Sequence, residues 1–172
     1  LMSVLVYVEQ VDGKFKKSVF EAVSYAKAIA DNQNSSLTAV SIGNVAEADL
    51  KELGKYGATK VLNVATDQLK NFVNQAYASV IAEAATKEGA NLVVLSNSFS
   101  GKGLAPRIAV KLKAGLVDGA VELPNFDGGF SVKKTAFSGK AFAVTTLTSA
   151  NKVIALNPNA FGVKENAIDA TI

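Results

Sequence analysis

Along the first two-thirds of the chain, short apolar runs alternate with longer segments whose apolar positions recur at helical spacing. "SVLVYVE" (3–9) reads as a buried strand. After the polar "QVDGKFK", residues 18–33 set Val19, Val23, Ala26 and Ala30 on one helical face, with Ser18 as candidate N-cap. "SLTAVSIG" (36–43) is a second strand, and "AEADLKELGKYG" (46–57) a short helix with Gly54 or Gly57 near its end. Glu47, Asp49 and Glu52 are expected on its wet face. "ATKVLNVA" (58–65) is a third strand. Residues 68–89 then place Leu69, Phe72, Val73, Ala76, Val80, Ile81 and Ala84 on one face of a helix that Gly89 ends. "ANLVVLS" (90–96) is a fourth strand, and "LAPRIAVKLKAG" (104–115) the helix after it. Strand–helix alternation with near-continuous apolar strands predicts an α/β fold, Rossmann-like, with a parallel sheet covered on both faces.

From Gly115 onward the pattern changes. "GAVEL", "FSVKKTAFS", "KAFAVTTLT" and "KVIALNP" read as strands divided by Asn, Gly and Ser turns, some extending the sheet antiparallel. Asp118 is expected in a turn. Phe126, Phe130, Phe137, Phe142 and Phe161 cluster in this region, with core packing the default and a subunit interface the second possibility. Residues 159–172, polar at first, read as the start of a linker, which leaves 1–158 as the α/β domain.

Composition narrows the chemistry. The chain is 49% hydrophobic and 19% charged over 172 residues, enough apolar material for one substantial core. The formal charge of +3 is small and its lysines are dispersed, so no nucleic-acid face is expected. There is no cysteine and no histidine. Disulfides, thiol nucleophiles and zinc–thiolate sites are thereby excluded, together with any Ser-His-Asp triad and the commonest general base. No catalytic residue and no metal site is expected. No apolar stretch is long enough to span a membrane, and the first strand begins at once, so a cytoplasmic protein with no signal or transit peptide is expected.

One stretch invites a binding site. "SNSFSGKG" (96–103) follows a parallel strand and precedes a helix, where open α/β sheets hold their ligands. Ser96, Asn97, Gly101, Lys102 and Gly103 could form an anion or nucleotide loop: free helix-start amides, glycines allowing close approach, and a lysine charge. Pro106 fits a first helical turn, and Arg107 suggests a fixed ion pair or a carbonyl clamp. Yet G-x-G-x-x-G fails, because Pro106 occupies its third glycine position, and no Walker-type motif occurs. The competing reading makes the glycines a tight strand-to-helix turn and leaves Lys102 solvated; chemistry alone favours that turn.

At these residues the chain resembles a known family. "SNSFSGKGLAPRIAVKLKAGLVDGAVEL" (96–123) is similar to the segment of electron-transfer flavoprotein alpha subunits in which Gly-Lys or Gly-Arg precedes Pro-Arg and an apolar helix. "VLVYVEQVDGKFKKSVFEAVSYAKAIA" (4–30) resembles the opening strand, bend and first helix of that family, and "KKTAFSGKAFAVT" (133–145) its aromatic-glycine strand. The chain departs from the pattern at Lys134-Thr135, where members often carry Arg-Pro, and in the looser "VDGAVEL". The resemblance covers Val4 to Phe161.

The resemblance implies an N-terminal domain with an adenine-nucleotide-hydrolase-like fold, followed in longer members by a C-terminal domain that binds FAD. It implies a beta subunit as partner in a heterodimer. That heterodimer would take electrons from flavin dehydrogenases, such as those acting on acyl-CoA in fatty acid oxidation, and pass them to a quinone-linked oxidoreductase. It also implies that the present residues act as scaffold and interface without holding FAD, so that the 96–103 stretch and Pro106-Arg107 are structural. Two other readings stand beside it: a free-standing adenine-nucleotide-binding module of the stress-protein type, and an enzyme of the adenine-nucleotide-hydrolase class. The missing histidine and pyrophosphate motif weaken the enzyme most.

Overall fold

A computed structural model describes residues 2–166 and 168–172. One eight-stranded sheet organises it. In chain order its strands and helices are β1 (Val4–Tyr7), a small hairpin of β2 (Gln10–Val11) and β3 (Lys14–Phe15), α1 (Lys17–Asn32), β4 (Leu37–Ile42), α2 (Glu47–Glu52), β5 (Lys60–Val64), α3 (Asn74–Lys87), β6 (Leu92–Ser96), α4 (Phe99–Leu112), β7 (Gly115–Ala120), β8 (Ser131–Ala136), β9 (Ala141–Thr146) and β10 (Lys152–Leu156). The sheet order is β5-β4-β1-β6-β10-β7-β8-β9. The pairs from β5 to β7 are parallel, and β8 and β9 continue the sheet antiparallel. This is the expected α/β class with its antiparallel extension.

Strand alternation sorts the core into two layers. Val4 and Val6 of β1, with Val8 just beyond its end, pack with Val23, Tyr25 and Ile29 of α1, while Leu5 and Tyr7 face Ile81 of α3 and Ile108 of α4. Each fully buried aliphatic side chain contributes about 1.5–3 kcal/mol. The central strands are apolar throughout because helices cover both of their faces.

Several expectations are corrected. Of the C-terminal strands, β8 and β9 are the antiparallel ones; β10 runs parallel between β6 and β7, and all five of its residues are buried. Its unbroken apolar run "KVIAL" has the same cause as those of β1 and β6. Ser18 does not cap α1; the helix begins one residue earlier, behind Lys16, without a side-chain cap. The helix expected over 68–89 starts only at Asn74. Asp67–Leu69 form a single 3-10 turn, and the Tyr77 hydroxyl donates to Leu69 O at 2.8 Å, which folds 69–73 back as a loop. Leu69 is buried, but Phe72 and Val73 stay exposed. Asp118 lies within β7 and is ion-paired with Lys134 across the antiparallel neighbour. Of the five phenylalanines, Phe130 is buried and Phe126 and Phe161 pack against the core, whereas Phe137 and Phe142 are exposed.

Residues 159–166 and 168–172, for which the sequence showed no partner, lie against the domain. Phe161 meets Tyr25 edge-on with ring centroids 5.4 Å apart. Ser24 Oγ donates to Lys164 O at 3.1 Å and accepts from the Lys164 amide at 3.0 Å. The amide of Asn166 donates to Lys55 O, and that of Ile168 to Gly54 O at 3.1 Å. Gly54 is a glycine for this reason: a Cβ there would come 2.2 Å from Ile168 O. Among the described residues, no helix is long and apolar enough to cross a membrane.

Candidate functional site

The chain leaves β1 for β4 and β5 on one side and later returns through β6 to build the other side, so the order reverses between β1 and β6. Beyond the carboxyl ends of these two strands lies the crevice in which open α/β sheets hold ligands. Glu9 and Gln10 enter it from β1; Ser96, Asn97 and Ser98 enter it from β6.

Helix α4 starts here, at Phe99, earlier than the expected Leu104. Ser98 is its N-cap, accepting at Oγ from the Gly101 amide at 3.1 Å, and the Lys102 amide reaches Ser98 O at 2.9 Å. The presumed loop is therefore the first turns of a helix. Ser98 Oγ donates in turn to Glu9 Oε2 at 2.9 Å. A carboxylate of the chain's own thus stands at the positive end of the α4 dipole, where negative charge is stabilised.

The glycines of this stretch answer to neighbouring protein atoms. A Cβ on Gly101 would sit 2.0 Å from Ser96 O, and one on Gly103 would sit 2.9 Å from Asn74 Oδ1 at the start of α3. Lys102 points outward and is exposed. Ser96 is buried, its hydroxyl without a partner. Asn97 is committed to a polar chain across the strand ends. Its Nδ2 donates to Asn157 Oδ1 at 2.9 Å, Asn157 Nδ2 donates to Thr135 Oγ1 at 3.1 Å, and the Asn97 amide donates to Leu156 O at 2.7 Å.

Pro106 lies in the interior of α4, beyond its first turn. Its missing N–H leaves the Lys102 carbonyl without a helical donor, and that residue faces solvent. Arg107 clamps the next carbonyl, Nη1 donating to Gly103 O at 2.7 Å. The predicted residues are thus gathered around one helix start, with Lys102 and Pro106 turned away from the crevice.

Two hollows open beside them. A polar cavity of about 460 Å³ is bordered by Gln10, Asp12, Asn44, Thr66, Asp67 and Lys70. A smaller one of about 240 Å³ includes Tyr7, Glu9, Phe72, Tyr77 and Ser100. The Tyr7 phenol there is pushed far above the usual range, by burial first and then by the neighbouring Glu9 carboxylate and Tyr77. Among the described residues, no cluster of acidic side chains could hold a metal ion.

Two apolar surfaces stand out, the first unforeseen and the second the interface alternative offered for the phenylalanine cluster. Phe99 is 96% exposed and Val110 78% exposed, and with Pro106 they fall at helical spacing along the outer side of α4. On the β8–β9 hairpin Phe137, Phe142 and Val144 are likewise exposed. Glu9 was missed as well; its only sequence signal is an acid at the end of an apolar strand.

Comparison with known proteins gives a coherent set. Residues 4–171 match the family model described as "Electron transfer flavoprotein domain". The chain is similar to the electron transfer flavoprotein subunit alpha of Syntrophomonas wolfei, 33% identical over 138 residues, spanning 80% of this chain and 42% of that one. The subunit of the same name in Bacillus subtilis is 28% identical over 98% of this chain and 49% of its own length. The acryloyl-CoA reductase electron transfer subunit beta of Anaerotignum propionicum is 34% identical over 64% of this chain and 30% of that one. The chain therefore spans less than half the length of these relatives. Among solved structures, a universal stress protein in complex with cAMP aligns with TM-score 0.47 and 22% identity, covering 68% of this chain and 94% of that one.

Proposed function

This chain belongs to the electron transfer flavoprotein domain family, and we propose that it is the N-terminal α/β domain of an alpha-type subunit, acting as scaffold and docking surface. Subunits of this family are electron carriers and not classical enzymes. The observation that carries the scaffold reading is the start of α4. The position that would greet a nucleotide phosphate already holds the Glu9 carboxylate, hydrogen-bonded to the Ser98 cap. Gly101 and Gly103 make room for Ser96 O and Asn74, both protein groups.

These residues do not fit the phosphates of FAD, because a second negative charge at that helix end would meet Glu9. The flavin is assigned instead to the remainder of a longer subunit. In this reading residues 159–172 form the packed stretch from which the polypeptide continues to that remainder. A beta-type subunit covers an exposed apolar face of this domain, and the assembled cytoplasmic heterodimer passes electrons from flavin dehydrogenases to a quinone-linked oxidoreductase.

The exposed phenylalanines support an interface, since large apolar side chains at such density on a surface mark docking regions. Co-expression of this chain with a beta-type subunit tests the reading. A complex that survives size-exclusion chromatography and is weakened at least about tenfold by Phe137→Asp with Phe142→Asp, or by Phe99→Asp, is expected. Recovery of the two chains as separate species, where the full-length subunit pairs, would contradict it.

A further inference from the structure

Strand β5 forms one margin of the sheet, and among the described residues only the first part of its outer edge is paired. The Val61 amide donates to Thr171 O at 2.7 Å, and the Thr171 amide donates to Thr59 O at 3.0 Å, one step of a parallel ladder. The Gly43 amide reaches Val64 O at 2.9 Å, so Leu62 and Val64 turn their backbone groups toward β4. Val61 and Asn63, alternating with them, turn theirs outward. The carbonyl of Val61 and both backbone groups of Asn63 are therefore next in line. Beside them, between β5 and α3, runs a groove of about 540 Å³ lined by Leu62, Val64, Val80 and Ala84. Ile172 sits at its near end, 45% exposed.

We propose that this edge and groove seat the stretch of polypeptide that continues from Ile172, laid down as a further parallel strand on β5. The inference rests on the reading of the chain as the first part of an alpha-type subunit, whose relatives are about twice as long as the matched region. Continuity argues for this occupant: residues 168–171 already follow the same edge in the same direction, and Ile172 has entered the groove. Ladder geometry specifies the contacts. The second residue after Thr171 donates to the Val61 carbonyl and accepts from the Asn63 amide. That same residue stands opposite Leu62, so its side chain falls on the groove face beside Leu62 and Val64, and is apolar. Glu83 and Lys87 on the rim, with Glu88 already paired to Lys60, offer both signs of charge and demand none. An unpaired edge strand invites association with other chains, and this strand would close it.

Hydrogen exchange resolved at single amides tests the proposal, with the full-length subunit measured beside the 172-residue chain. The Asn63 amide is expected to exchange at least about tenfold more slowly in the longer protein, while Val61 is protected in both. Asn63→Pro deletes only an outward-facing donor on an edge strand, where proline is tolerated. It should leave the unfolding midpoint of the 172-residue chain unchanged and abolish protection of the residues after Ile172 in the full subunit. Equal exchange of Asn63 in the two proteins would overturn the proposal while leaving the alpha-type reading intact. A reading frame that stops at Ile172 would remove both together.

Discussion

Glu21 Oε2 lies 2.6 Å from the amide nitrogen of Gly162, joining the middle of α1 to a residue 141 positions away. The same carboxylate accepts from the amides of Asn159 at 2.8 Å and Phe161 at 2.9 Å. Glu21 is only 3% exposed, and these three amides are the compensation for burying it. Glu21→Gln replaces one acceptor oxygen by a donor and should lower the unfolding free energy by about 2 kcal/mol. Urea denaturation reads the loss, and faster exchange of the 159–164 amides locates it.

Gly54→Ala tests the tail at its other end. The added methyl would meet Ile168 O at 2.2 Å, a backbone atom with little freedom to retreat. Residues 168–171 should come away from Gly54 and the β5 edge while the central strands keep their protection. The expected cost is about 1–3 kcal/mol. Gly89→Ala, where nothing lies within 4 Å but φ is +65°, should cost about 1 kcal/mol and leave the tail in place.

At the start of α4 two neighbours should behave oppositely. Gly101→Ala drives a Cβ into Ser96 O and should cost about 2 kcal/mol or more. Lys102→Ala removes an exposed side chain and should change stability by less than about 0.5 kcal/mol. Thermal unfolding of the two variants checks the contrast. A large loss from Lys102→Ala would point to an unrecognised contact of that side chain.

Stability should fall at alkaline pH. Burial holds the phenols of Tyr7 and Tyr25 above the ordinary tyrosine range, with Glu9 and Tyr77 adding to the effect at Tyr7. A raised folded-state value means that the folded protein keeps protons the unfolded chain releases. Stability is thus complete below about pH 10, where unfolded tyrosines ionise, and declines above it. Urea midpoints measured between neutral pH and pH 11 should drop on the alkaline side, and Tyr7→Phe should flatten that drop.

Much of this architecture was legible because its cause is local. The unbroken apolar runs of β1, β4 and β6 and the spacing of Val19, Val23, Ala26 and Ala30 on α1 follow directly from double-sided burial and helical period. Gly89 stops α3 as its sequence position suggested, with φ of +65°. What escaped depends on distant partners. β10 reads like any apolar strand, and nothing in "KVIAL" says that it slips between β6 and β7. Asn74 begins α3 because Tyr77 captures the Leu69 carbonyl, a tertiary event. Nothing in the sequence around Glu21 shows that the backbone of 159–162 arrives beside it. At the candidate site, Gly101 and Gly103 were visible as demands for space, but sequence cannot say whether ligand or protein fills it. Ser96 O and Asn74 do so here.

The claim at the centre of this account is that the α4 start is closed by Ser98 and Glu9 and that the domain carries no nucleotide of its own. Titration calorimetry of the purified 172-residue chain with FAD, AMP and ATP addresses it most directly. The account predicts no heat beyond dilution for any of the three and no flavin absorbance retained after desalting. Stoichiometric micromolar binding, lost in Lys102→Ala, would contradict it.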